Sequence, residues 1–203
     1  MLRAENMDAA PARPEQRLIF PAMPFSAFRF TLRIGALLGL LQFATTLIVY
    51  ACGLHGSPVD LEAGHKFESL GAFIAIMACL SLGLRRAQRD LHRDGSPFTF
   101  GTGARLALGV ASAGGLFTAA GQYVYVAFIH PTYSGHLRAA LVIGAKLAPD
   151  QAEAYAHQLD FAASAVFRAL NQGVSTLFFS LLIGCAYALL FRDRSATVTV
   201  TVS

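Results

Sequence analysis

The sequence predicts an all-α, polytopic membrane protein with four transmembrane helices and an amphipathic helix in the long loop before the fourth. Three observations carry that prediction. The first is composition: of 203 residues, 55% are apolar and only 14% charged, against roughly 25% charged in an ordinary soluble domain. The second is four long runs free of Asp, Glu, Lys and Arg. The third is the uneven placement of Arg and Lys between the segments joining those runs.

A spanning helix needs ~20 mostly apolar residues to cross ~30 Å of hydrocarbon. Residues 34–59 carry no charge over 26 positions, 106–137 over 32, and 169–191 over 23. Each is long enough. Residues 69–84 offer only 16, so the second span reaches full length only if Phe67 and Glu68 enter the interface and Lys66 snorkels out of it. A buried soluble bundle is disfavoured, because four such runs leave too little polar surface for water.

Orientation follows from the basic residues, which short cytoplasmic loops retain. Arg3, Arg13, Arg17, Arg29 and Arg33 precede the first run; Arg85, Arg86, Arg89, Arg93 and Arg105 separate the second from the third; Arg192 and Arg194 follow the fourth. The other two loops hold only Lys66, Arg138, Lys146 and Arg168. Twelve against four puts both termini and the middle loop in the cytoplasm of a bacterial inner membrane. The same topology accounts for the net charge of +4, so the expected partner is the lipid bilayer, with a second copy or another membrane protein beside it, and not nucleic acid. The first run is too long for the 7–15-residue core of a cleaved signal. Cys52, Cys79 and Cys185 each lie in or at the end of an apolar run and read as small packing residues.

Residues 1–27 mix Ala, Pro and charge without periodicity and read as a disordered tail; 28–192 form the transmembrane domain; 193–203, including "SATVTVTV", read as a loose tail, since a lone strand is not stable. In the long loop, Pro149, Asp150 and Glu153 have capping-box spacing, Ala154 to Phe167 then give one apolar side, and "NQG" at 171–173 marks a bend before the last span.

"GSPFTFGTGARLALG", residues 95–109, invites a phosphate-binding reading. A dinucleotide fingerprint needs a third glycine where Leu106 stands, and a P-loop needs Gly-Lys-Ser/Thr, yet no lysine occurs between Lys66 and Lys146. The stretch reads instead as a turn at Gly95-Ser96-Pro97, with Phe98 and Phe100 at the lipid interface and the third span starting near Thr102. Together, "RDGSPFTFGTGARLALG" and the later "YVYVAFIHPTY" resemble a family of four-helix bacterial membrane proteins catalogued only as a domain of unknown function. The matching phrases are Thr99-Phe100-Gly101 and Ile129-His130-Pro131, with His130 in place of the acidic residue usual there. The resemblance extends over about residues 28–192 and implies four spans and a membrane location, without an activity, substrate or catalytic residue.

Candidate chemistry is sparse. His55, His65, His130, His136 and His157 fall on the outer side with Asp60, Glu62, Glu68, Asp150, Glu153 and Asp160, types that suit zinc, iron or copper. They show no H-E-x-x-H or comparable pair, and loop histidines ordinarily face water, so neither a metal site nor a cofactor is expected. Within the spans, Gln42 sits mid-way along the first, Gln122 about 10 Å below the outer end of the third at 1.5 Å per residue, and Glu68 at the outer end of the second. These three form a candidate intramembrane polar site, because polar groups in lipid face the bundle interior and either mark a pathway or glue helices together. A hydrogen bond between Glu68 and Gln122 is geometrically allowed.

Small residues at four-residue spacing are the clearest signal in the helices: Gly35 and Gly39, Gly71 and Ala75, Gly115 and Ala119, and Ser180, Gly184 and Ala188. They license close backbone approach. They do not say whether the partner helix belongs to the same chain. The functional expectation is a non-enzymatic structural or accessory membrane subunit; the alternative is a small oligomeric transporter or channel with Glu68 and Gln122 near its pathway.

Overall fold

The computed structural model describes residues 25–146 and 149–193, and every regular element among them is helical. The capping pair Asp150 and Glu153 and most of both tails lie outside the described side chains. Four helices are long and apolar enough to span a bilayer: α1 (Phe25–Ala51), α2 (Asp60–Arg93), α3 (Phe100–Val124, continued by a π-turn at Tyr125–Ile129) and α7 (Ala165–Phe191). The chain is a multi-pass membrane protein. Between α3 and α7 lie α4 (Tyr133–Ala145), α5 (Pro149–Gln158) and the single turn α6 (Asp160–Ala163).

Local chemistry explains the helix boundaries. Thr99 is extended and its hydroxyl accepts from the Thr102 backbone N–H at 3.2 Å, and Ser164 does the same for Phe167 at 3.2 Å. Each hydroxyl satisfies one of the backbone donors that a helix start leaves open. The glycine-rich stretch is therefore a turn, with Gly95 at φ +71°, leading to a capped helix.

Two expectations about this region and the last span are corrected. Phe98 does not sit at the lipid interface: it is fully buried against Leu84 and Leu106. Its backbone N–H donates to Asp193 Oδ2 at 2.6 Å, and the Asp193 N–H returns a bond to the Phe98 carbonyl at 3.0 Å. That exchange pulls residue 98 inward, while Phe100 stays 40% exposed. The chain also does not bend at Asn171–Gly173. Helix α7 runs through it, because Gly173 packs directly against the Gly115 carbonyl and Ala119 of α3.

Helix α3 lies between α1 and α7, and α2 closes against both of those. The small residues are what allow it. A Cβ on Gly35 would come within 2.5 Å of the Ala113 Cβ, one on Gly184 within 2.5 Å of the Ala107 Cβ, and one on Gly115 within 2.8 Å of the Gly173 carbonyl. Gly39 meets Phe117, Gly71 meets Thr45, and Ala188 abuts Gly103. Ala75 joins the core and Ser180 is fully buried. In lipid the association of helices rests on such close van der Waals packing. Here the small faces are used within one chain.

The interior is layered. Towards the end that holds the α2–α3 turn, Leu84, Phe98 and Leu106 pack together; above them come Leu38, Ala75, Ile76, Cys79, Leu80 and Val110. The opposite end, under the α1–α2 turn and α4, is built from Leu61, Tyr125, Val126, Tyr133, Leu137 and Ala163. Between these apolar layers lies the polar site.

Candidate functional site

Helix α1 stops at Ala51, and a turn with Gly53 at φ +78° carries His55 back over the bundle. The imidazole is fully buried because Gly64, one turn into α2, has no side chain to obstruct it: a Cβ there would lie 3.0 Å from His55 Cδ2. From the other side, the π-turn adds a residue to the end of α3, a local device that re-aims side chains and recurs at functional sites. It leaves Tyr125 buried and His130 only 8% exposed.

These groups form a chain. The Tyr125 hydroxyl stands 2.5 Å from His55 Nδ1 and 3.2 Å from His130 Nδ1. His55 Nε2 faces Glu68 Oε1 at 3.6 Å, and His65 Nδ1 faces the other carboxylate oxygen at 3.4 Å. One proton arrangement satisfies the run: His130 Nδ1–H donates to the tyrosine oxygen, the tyrosine O–H donates to His55 Nδ1, and His55 Nε2–H points at Glu68. It requires a neutral His55, whose Nδ1 accepts. Burial pushes both His55 and His130 down from the usual histidine value, opposed at His55 by the nearby Glu68 and reinforced at His130 by His136. His136 Nδ1 also lies 3.2 Å from the His55 carbonyl oxygen.

Tyr133 closes the layer. It is fully buried, its hydroxyl accepts from Arg168 Nη2 at 3.2 Å, and the guanidinium lies 5.8 Å from its ring centre. Burial pushes this phenol up to about 12 even though Arg168 acts against it.

Below Glu68 the three predicted polar residues meet. Glu68, Gln42 and Gln122 line one cavity of about 10 Å³, with Thr46, Thr118 and Gln172 as its other polar walls. Helix α2 runs 34 residues, and the Glu68 side chain is 14% exposed and lines this cavity. Gln42 Oε1 accepts from Thr176 Oγ1 at 2.9 Å, tying α1 to α7. Next to the cavity, a groove of about 360 Å³ between α2 and α7 shares Ala72 and Gln172 with it and is otherwise lined by groups such as Phe73, Ile76 and Phe179.

Of the histidines expected on the outer side, His157 is exposed and 3.7 Å from Asp160, while His55 and His130 are buried and do not face water as loop histidines usually do. Among the described residues, no three of His, Cys, Asp and Glu come together as a metal cage. Reading the sequence alone missed His55, Tyr125, His130, Tyr133 and Arg168 as one unit. The available signal was the density of Tyr and His in "YVYVAFIHPTY".

A family model described as "Protein of unknown function (DUF4199)" matches residues 33–193. No curated protein and no solved structure matches the chain significantly.

Proposed function

The chain belongs to this family, and we propose that it is a non-enzymatic structural or accessory subunit of the bacterial inner membrane, with both termini cytoplasmic. The supporting observation is closure. The polar site is sealed from the terminal end of the bundle by the layer of Leu38, Ala75, Ile76, Cys79, Leu80 and Val110 and, beyond it, by Leu84, Phe98 and Leu106. These residues are all buried and pack on one another as a protein interior does, with the groove at Ile76 lying on the flank between α2 and α7. The orientation draws support from the twelve basic residues grouped towards the termini and middle loop against four elsewhere.

The competing reading is a small oligomeric transporter or channel with Glu68 and Gln122 on its pathway. It draws on the groove beside the polar cavity. Purified protein reconstituted into liposomes separates the two. Under imposed proton, Na⁺ and K⁺ gradients, the subunit reading expects leak equal to that of empty liposomes. A flux that Glu68→Gln abolishes would overturn it.

A further inference from the structure

Buried polar side chains are nearly always partnered. Two that are not, Gln42 Nε2 and Thr118 Oγ1, belong to residues of α1 and α3 that line the same small cavity, and a third such atom, Glu68 Oε1 of α2, faces the likewise unpartnered His55 Nε2 at 3.6 Å. Gln42 and Thr118 are each less than a tenth exposed. Unsatisfied groups on α1 and α3 at one cavity, beside the Glu68 carboxylate of α2, point to an occupant there. Its volume of about 10 Å³ suits a single water-sized species.

The chemistry of the walls identifies which. One carboxylate, three amides and two hydroxyls offer hard oxygen donors and no sulfur or imidazole, the set that suits hard cations. A single carboxylate is too little charge for a typical calcium site, and the space leaves no room for the waters that magnesium retains. A carboxylate inside a membrane bundle also calls for a positive partner. His55 Nε2 and His65 Nδ1 lie 3.6 and 3.4 Å from the two Glu68 carboxylate oxygens, the second within hydrogen-bonding distance, but neither imidazole lines the cavity.

We propose that this cavity binds one Na⁺ ion, with the Glu68 carboxylate neutralising its charge and Gln42, Thr46, Thr118, Gln122 and Gln172 supplying neutral oxygens. Gln42 takes part by turning its amide: Nε2 then donates to Thr176 Oγ1, and Oε1 faces the ion. The two amide orientations occupy the same space. The assignment is independent of the subunit reading, since a bound ion need not cross the membrane.

The test uses the full-length protein purified in detergent at pH 8, with its unfolding midpoint measured in NaCl, KCl and choline chloride at equal ionic strength. NaCl is expected to raise the midpoint in a saturable way relative to choline, and KCl to raise it less, because binding to the folded state alone stabilises it by mass action. Glu68→Gln and Thr118→Val are expected to abolish the Na⁺-specific shift, while Ser175→Ala in the neighbouring groove keeps it. Equal midpoints in all three salts would show that the cavity holds only water, and equal shifts in NaCl and KCl would show an unselective cation effect; either overturns the Na⁺ assignment. A Na⁺ shift that survives in folded Glu68→Gln protein would put the ion elsewhere and overturn the assignment. Should either variant fail to fold, radioactive Na⁺ binding to wild-type protein decides: one ion per chain, displaced at lower concentration by NaCl than by KCl, supports the site, and no saturable binding sinks it.

Discussion

The Tyr125 hydroxyl and His55 Nδ1 lie 2.5 Å apart although 70 positions separate the two residues in the chain. This bond joins the π-turn at the end of α3 to the turn between α1 and α2. Replacing Tyr125 by Phe keeps the ring and leaves two buried imidazole nitrogens without their shared partner. Such a loss costs about 1–3 kcal/mol. The thermal midpoint of Tyr125→Phe in detergent is therefore expected to fall clearly below wild type, and His55→Gln combined with it should add less than its effect alone. Full additivity would mean that the two side chains do not act on each other.

Acid should weaken the same layer. His55 and His130 are held below their unfolded value by burial, so the unfolded chain binds more protons than the folded one. Their contribution is fully present above the unfolded histidine pKa of about 6.5 and is lost as pH falls through the lower folded values. Unfolding midpoints measured from pH 8 down to pH 5 should decline, and the decline should flatten in the His55→Gln, His130→Gln double variant. A wild-type profile that rises on acidification would reverse the sign and refute this account.

Packing of α3 makes a sharper distinction between glycines. Gly35→Leu and Gly184→Leu insert a side chain where even a Cβ comes within 2.5 Å of a neighbouring helix, whereas Gly144 has nothing within 4 Å. The first two should lower the melting temperature of solubilised protein, and overpacking of this kind costs about 1–3 kcal/mol or more. Gly144→Leu should melt near wild type. If all three behave alike, close approach at Gly35 and Gly184 is not what holds the bundle.

Topology offers a fourth measurement. The Asp193 carboxylate lies 2.8 Å from His92 Nε2 and binds the Phe98 N–H, so the end of α7 and the α2–α3 turn share one end of the molecule. A reporter active only in the periplasm should be silent when fused after Ser203 or inserted near Arg89, and active near Ser57. Activity at Ser203 and at Arg89 would invert the orientation while preserving that pairing.

Hydropathy along the chain by itself determined the four spanning helices, because in lipid the backbone must satisfy its own hydrogen bonds and each span then needs a long apolar run. The small-residue spacing likewise identified where helices touch, since only Gly, Ala and Ser allow backbones so near. Which helices touch was decided by the tertiary structure: Gly35 meets Ala113 and Gly184 meets Ala107 within the one chain, a choice that depends on how the faces of four helices are rotated together. The polar site divides in the same way. Glu68, Gln42 and Gln122 were legible singly, as costly polar groups in apolar runs. Their meeting with Thr46, Thr118 and Gln172 around one cavity was not, nor was the burial of His55 beneath a turn made possible by the absent side chain of Gly64. Local sequence carries propensity and cost, residue by residue. Contact between residues 70 positions apart depends on helix rotation and turn geometry, which only the packed bundle sets.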